Sequence, residues 1–229
     1  MNRLKPTGRL AVLCLCACLA LCGCSAPKTA GSTSGTYDYP ALETVDPGSL
    51  TLAEAASDTL TLQYPSEDWE PADDIGTGMV QLYYRPTATS QQAVNINVQK
   101  SARFSGTLTE KDKSDLESGL QETAAFLNVT VSEMRTLNGE PVIYTESRTQ
   151  ITDDAIDLML EQGYWTQDDI DSFGGREALL AIPATDQIFL YVVRDGWIYV
   201  CTGTYYSADQ KAVVLDCMTL LMQTVESVG

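Results

Sequence analysis

Hydrophobic and polar positions alternate with a period of two in three separate runs of the chain. Leu60, Leu62 and Tyr64 interleave with Thr59, Thr61 and Gln63 and stop at Pro65; Val80, Leu82 and Tyr84 repeat the pattern and stop at Pro86. Val94, Ile96 and Val98 interleave with Asn95, Asn97 and Gln99. Each run reads as a half-buried strand, one face in a core and the other toward water. The period then changes. Thr109 with Asp112 has the spacing of a capping box, and Leu116, Leu120, Ala124 and Leu127 fall on one face of the helix that follows.

Two dipeptides mark hairpins. Asn138-Gly139 lies between Met134–Leu137 and Val142–Thr145, and Asp195-Gly196 between Ile188–Arg194 and Trp197–Thr204. Both tolerate the positive φ angles of a two-residue type I′ turn. In the second hairpin both alternations are apolar: Ile198 and Val200 on one face, Trp197, Tyr199 and Cys201 on the other. Such a strand calls for a sheet covered on both sides. A cover follows at once, because Ser207 and Gln210 can cap a C-terminal helix whose stripe is Val213, Val214, Cys217, Leu220 and Leu221.

Residues 150–180 break the pattern. Thr152 can cap a short helix carrying Ile156, Met159 and Leu160, and Thr166 with Asp169 can cap another, closed by Gly174-Gly175. Tyr164 and Trp165 stand between them. The segment reads as a helical insertion on a mainly antiparallel sheet.

The order of these signals resembles the PsbP/DcrB-like superfamily, which includes the extrinsic PsbP subunit of photosystem II and several bacterial lipoproteins. It consists of a strand ending in Tyr64-Pro65 with Trp69 shortly after, two more strands and a long helix. An Asn-Gly hairpin, a late Asp-Gly hairpin and a closing helix complete it. The resemblance spans roughly residues 57–227 and departs chiefly at 150–180. It implies an α+β fold, an α/β/α sandwich around a central, mainly antiparallel sheet. It also implies a non-catalytic accessory or binding role, and it brings no catalytic residues with it.

The N-terminus has the three-part layout of an export signal. Arg3, Lys5 and Arg9 form a positive region, and Leu10–Leu21 an apolar one too short to cross a ~30 Å hydrocarbon core as a helix. Leu21-Cys22-Gly23-Cys24 then resembles a bacterial lipobox, which implies a thioether-linked diacylglycerol on Cys24 and cleavage before it. Leu15-Cys16-Ala17-Cys18 has the same pattern but would leave an apolar region of only about seven residues. An uncleaved signal anchor is the alternative to both. Residues 25–35 carry no large apolar side chain, a composition that cannot offset ordering entropy and serves as a spacer. The expected organisation is a signal over 1–23, lipidated Cys24 with a tether to residue 52, and a folded domain over 53–229.

Charge narrows the partners. Loss of Arg3, Lys5 and Arg9 from 14 basic groups leaves 11 against 31 acidic ones, a net charge of −20. That surface repels phosphate backbones and anionic headgroups, so nucleic acid is not expected as a partner. The lipid has to supply the membrane attachment, placing the domain on the extracytoplasmic side. The absence of histidine removes Ser-His-Asp and Cys-His catalysis together with imidazole metal ligation.

Candidate chemistry is sparse. Cys201 and Cys217, the two cysteines of the folded part, can pair after export or serve as small hydrophobes. Asp153, Asp154, Asp157, Glu161, Asp168, Asp169 and Asp171 suggest calcium, but Phe173 stands where a third loop ligand belongs, and aspartates also favour first helical turns. Ser25 and Lys28 match a Ser-x-x-Lys spacing within the spacer, where no lysine can be desolvated. Tyr164 and Trp165 are the candidate binding residues, against the alternative that they pin the insertion to the sheet. No catalytic residue, metal or cofactor is expected. The reading is a tethered binding or accessory module of the cell envelope, with an envelope protein or small molecule as partner. A carboxylate-dependent hydrolase and a purely structural component are the alternatives.

Overall fold

Asn138 and Asp195 take φ angles of 53°, each followed by a glycine at 83° or 75°, so both dipeptides turn their hairpins as the type I′ geometry requires. The computed structural model describes residues 37–72, 78–90, 92–123 and 126–228. Along the chain run β1 (Leu52–Ala56), β2 (Leu60–Pro65), β3 (Trp69–Pro71), β4 (Met79–Tyr84), β5 (Asn95–Arg103), α1 (Glu110–Thr123), β6 (Leu127–Leu137) and β7 (Glu140–Thr149). The insertion follows as α2 (Asp153–Glu161), α3 (Gln167–Ser172) and α4 (Arg176–Leu180), and then β8 (Thr185–Arg194), β9 (Trp197–Tyr205), α5 (Ala208–Thr224) and β10 (Glu226–Ser227).

The large sheet is antiparallel throughout, ordered β3-β4-β5-β9-β8-β7-β6. The fold is the expected α+β sandwich. One face of this sheet carries Val98, Val142, Ile188, Leu190, Tyr199 and Cys201 toward α5; the other carries Met134, Ile143, Phe189, Tyr191 and Val200 toward Leu116 and Leu120 of α1. In β6 the faces change hands at a bulge between Val129 and Val131. Leu127 and Val129 therefore join the α1 side while Val131 and Leu137 join the α5 side, as one extra residue in a period-two strand demands.

α5 is buried beyond its expected stripe: Met218, Thr219 and Met222 are covered as well as Val214, Cys217, Leu220 and Leu221. The cause is a second sheet of three strands, β1-β2-β10, which puts Leu60, Leu62 and Tyr64 into the same core. Thr224 Oγ1 fastens the end of α5 to β2, accepting from Gln63 N at 3.1 Å and donating to Gln63 O at 3.3 Å. Where α5 crosses β9 the contact is on Gly203, above which Val214 and Met218 lie.

One expectation changes, and two further stretches gain detail. Leu127 was expected on the helix face but opens β6, since the helix gives way before the β-prone run Val129-Thr130-Val131; Ala124 lies outside the described residues. Leu60–Tyr64 belongs to the small sheet, because Ser57 turns the chain back on β1, its Oγ accepting from Thr59 N and Leu60 N. The tether expected to reach residue 52 carries contacts from Tyr37 onward. Ala41 bridges Thr136 in parallel, Tyr39 and Leu42 pack on opposite cores, and the free edge of β6 is thereby covered.

Candidate functional site

The insertion is assembled from caps. Thr152 opens α2, its hydroxyl accepting from Ala155 N at 3.2 Å. Gly163 then takes a φ of 73°, and the amides of Tyr164 and Trp165 both donate to the Met159 carbonyl, which the end of the helix would otherwise leave open. Thr166 and Asp169 close the next box: Thr166 N and Oγ1 donate to Asp169 Oδ2 at 2.9 and 2.7 Å, and Asp169 N donates to Thr166 Oγ1 at 3.2 Å. Those bonds to Thr166, side chain first and backbone second, hold the Asp169 carboxyl below the usual range. Gly174 and Gly175, at φ 101° and 91°, carry the chain into α4.

These helices share a core of their own, Ile151, Ile156, Ile170 and Leu179, with Leu160, Phe173 and Ile182 at its margin. Trp165 is part of that margin, half-buried, its ring stacked on Phe126 at a centroid distance of 6.4 Å. Tyr164 is 64% exposed. The two neighbouring aromatics thus have different positions: Trp165 joins the insertion to the start of β6, and Tyr164 offers a phenol to solvent.

Asp153, Asp157, Asp169 and Asp171 of the insertion are engaged locally. Arg176 donates through Nε to Asp153 at 2.6 Å and through Nη1 to Asp157 at 2.7 Å, clamping α4 to α2. The guanidinium's hydrogen bond, ahead of its charge, lowers the Asp157 pKa. Asp171 accepts from Gln167 Nε2 at 2.9 Å. Among the described residues no group of three or more acids, cysteines or histidines gathers in a way that could hold a metal ion.

Cys201 and Cys217 are free and buried in the core between β9 and α5, and burial pushes both thiols well above their ordinary range. Cys24 lies outside the described residues. No helix among the described residues is long and apolar enough to cross a membrane.

One polar cluster escaped the sequence reading. Tyr144 OH donates to Glu146 Oε1 at 2.6 Å, Lys211 Nζ of α5 donates to the same oxygen at 2.7 Å, and Arg135 stands 5.9 Å from the Tyr144 ring. Burial, then the hydrogen bond to Glu146, raises the Tyr144 hydroxyl far above its usual value; burial, then Glu146 and Asp186, pushes Tyr205 up to about 12. Both phenols are neutral at physiological pH, and the Lys211–Glu146 contact ties α5 to β7. Its signal was the i, i+2 spacing of Tyr144 and Glu146, which puts a carboxylate on a core-facing alternation.

No protein-family model and no curated protein sequence matches the chain. Among solved structures it is similar to the cyanobacterial PsbP (CyanoP) of Synechocystis sp. PCC 6803, at 13% identity and a TM-score of 0.44, over 86% of this chain and 98% of that one. It is also similar to LpqN, involved in cell envelope biogenesis of Mycobacterium tuberculosis, at 9% identity and a TM-score of 0.38, over 78% and 91% of the two chains. A Bacteroides thetaiotaomicron VPI-5482 protein shares 14% identity at a TM-score of 0.36, over 74% of this chain and 45% of its own length, so the chain spans less than half of that protein. No residue role carries over at these identities.

Proposed function

We propose that the chain is an exported lipoprotein, held to the membrane by a diacylglycerol on Cys24, whose domain is a non-catalytic binding or accessory module on the extracytoplasmic side. The observation that carries this reading is Leu21-Cys22-Gly23-Cys24, placed directly after a positively charged start and an apolar run of export length. Two acyl chains anchor stably where one holds only marginally, which a surface of net charge −20 cannot do by attraction to anionic lipid. A binding role is supported by Tyr164, a large aromatic left in solvent on an insertion with its own core.

Metabolic labelling with a fatty-acid analogue tests the anchor: the wild type becomes tagged and Cys24→Ala does not. Labelling that survives Cys24→Ala and disappears with Cys18→Ala would move the lipid site to Cys18. Labelling absent from the wild type would remove the anchor altogether. With the tethered protein as bait, Tyr164→Ala should weaken partner capture several-fold.

A further inference from the structure

Cations are scarce in this chain, and most are engaged by acids. Of the ten lysines and arginines among the described residues, seven pair with a carboxylate. The other three, Lys100, Arg103 and Arg194, stand around the ring of Trp197. Trp197 pairs with Arg194 across the β8–β9 hairpin and with Arg103 across β5 and β9. Lys100 Nζ lies 4.3 Å from the ring centroid and Arg103 Cζ 4.6 Å. The remaining bonds are to neutral groups: Lys100 Nζ donates to Ser227 Oγ, and Arg194 Nη1 to the Gln223 carbonyl at 2.9 Å. An ammonium has three N–H groups and a guanidinium five, so most of these donors are left for a partner. Arg103 is exposed, Lys100, Arg194 and Trp197 are half-buried, and Val228, next to Ser227, is 39% exposed. The patch is open to solvent at the hairpin-tip end of the large sheet.

The chain also enters the domain at that end. Tyr37 OH donates to Thr107 Oγ1 at 3.1 Å, and Phe104 N, just upstream, donates to the carbonyl of Gly196 at 2.9 Å. Ala41 bridges Thr136, close to the Asn138-Gly139 turn. Twelve residues separate Cys24 from Tyr37. A chain of that length reaches at most about 40 Å. The insertion stands at the other end, where β7 stops at Thr149 and β8 starts at Thr185. The ten residues of β8 put it about 30 Å from the tips at ~3.4 Å per residue. Residues 150–180 hold eight acids against Arg176 alone, 1 − 8 = −7, more than a third of the net −20. Around the patch the three cations meet the exposed acids Asp195, Glu140 and Glu226. The separation is several Debye lengths of ~8–10 Å, so the two ends meet a charged surface independently.

We propose that the hairpin-tip end, through Lys100, Arg103, Arg194 and Trp197, rests on the anionic headgroups of the membrane that bears the anchor, and turns the insertion with Tyr164 away from it. The proposal rests on the reading of Cys24 as the anchor. A diacylglycerol holds the chain without fixing how the domain stands. Once the chain is held, docking is an intramolecular event at high effective concentration, and a weak local attraction is enough to choose an orientation. Each lysine or arginine beside an anionic surface favours contact about fivefold, and a tryptophan edge suits the interface between headgroup and acyl chain. The opposite orientation would press the −7 of the insertion against like charge. Net charge prevents this domain from attaching by attraction, yet its uneven distribution orients a domain that the lipid already holds.

Energy transfer from tryptophan to a dansyl-headgroup lipid tests the proposal, because Trp197 is at the tip end. Trp69, paired with Tyr84, and Trp165, stacked on Phe126, lie toward the insertion end. The lipidated protein, purified from membranes, is reconstituted into dansyl-bearing vesicles of phosphatidylcholine with phosphatidylglycerol, or of phosphatidylcholine alone. Transfer should be at least about twofold greater on the anionic vesicles, and Trp197→Phe should remove the excess. Lys100→Gln with Arg103→Gln should lower the contact equilibrium about 25-fold and return transfer to the phosphatidylcholine level at an unchanged melting temperature. If that pair fails to fold, high salt should abolish the wild-type excess while the protein stays on the vesicles. Equal transfer on the two lipids, an excess that survives Trp197→Phe, or one untouched by the charge variants and by salt would overturn the proposal. So would charge variants that weaken capture of a protein partner and leave transfer as it was, which would assign the patch to an acidic protein. Fatty-acid labelling of the same preparation separates the two readings: a chain labelled at Cys24 without the excess keeps its anchor and loses this docking surface, whereas an unlabelled chain loses both.

Discussion

The crossing of α5 over β9 leaves no room for a side chain at Gly203, and Gly203→Ala should therefore be among the costly single-methyl changes in the domain. A Cβ built there would lie 2.6 Å from Met218 Sδ and closer still to Val214 Cγ1, whereas carbon contacts settle near ~3.5–4.0 Å. About an ångström must be found. Met218 can swing its thioether aside, but Val214 is fully buried and β-branched, with one favoured rotamer in a helix. The helix cannot simply lift, because Thr224 fastens its far end to β2. Overpacking of this kind costs about 1–3 kcal/mol, and with two neighbours displaced the upper part of that range is expected. At roughly 2–4 °C per kcal/mol for a domain of this size, the melting temperature should fall by about 5–10 °C. Urea unfolding gives the free energy. Gly119→Ala is the control: nothing lies within 4 Å of its added Cβ, and inside α1 the change should stabilise by about 0.5–1 kcal/mol. Adding Val214→Ala to Gly203→Ala should recover at least ~1 kcal/mol relative to additivity. A Gly203→Ala protein as stable as the wild type, or a double variant that is merely additive, would refute the steric account.

Trp165→Ala, which removes a half-buried ring from the insertion core and from Phe126, should cost about 2 kcal/mol in urea unfolding, while Tyr164→Ala should stay within about 0.5 kcal/mol; equal losses would contradict their separate placement. Because folding raises the Tyr205 hydroxyl from 10.0 to about 12, its neutral form contributes stability that is complete below pH 10 and lost as pH rises toward 12. Unfolding midpoints should drop across that window and drop less in Tyr205→Phe; a flat wild-type profile would contradict the burial argument. Iodoacetamide should leave Cys201 and Cys217 unmodified in the native protein and alkylate both in urea, read by peptide mass, whereas native labelling or a recovered disulfide would show that the thiols are not sealed in the core.

What the sequence made legible were features fixed by local rules. Turn dipeptides demanded positive φ and obtained it, Thr152, Thr166 and Ser207 capped the helices they precede, and the doubly apolar β9 was covered on both faces. What it hid depends on partners distant in the chain. β1, β3 and β10 are short strands with meaning only beside β2 or β4, and Leu127 fits a helical stripe as well as a strand until the bulge after Val129 fixes its face. The Tyr144–Glu146–Lys211 cluster joins a strand to a helix 65 residues later, a distance no local pattern spans.

The same limit explains why the buried polar positions of the large sheet read as solvent-facing ones. Asn95, Asn97 and Gln99, set between Val94, Ile96 and Val98, read as the solvent side of a half-buried strand, and Gln81 between Val80 and Leu82 reads the same way. Alternation distinguishes two faces, but it does not say that the polar one will be covered. That depends on β9 and β8, whose apolar residues on both faces require layers above and below the sheet, and β4 and β5 are drawn into the covered region by pairing with them. Within β9 itself the change is visible: Ile198 and Val200 give way to Thr202 and Thr204 on one face while Tyr199, Cys201 and Gly203 continue the other. A covered strand with no use for polarity would carry valine where threonine stands, since the two have nearly the same shape and only threonine brings a hydroxyl that must find a partner. Thr202, Thr204, Gln187, Asn97 and Ser147 on four adjoining strands are buried polar positions that the alternation of any one strand does not foretell.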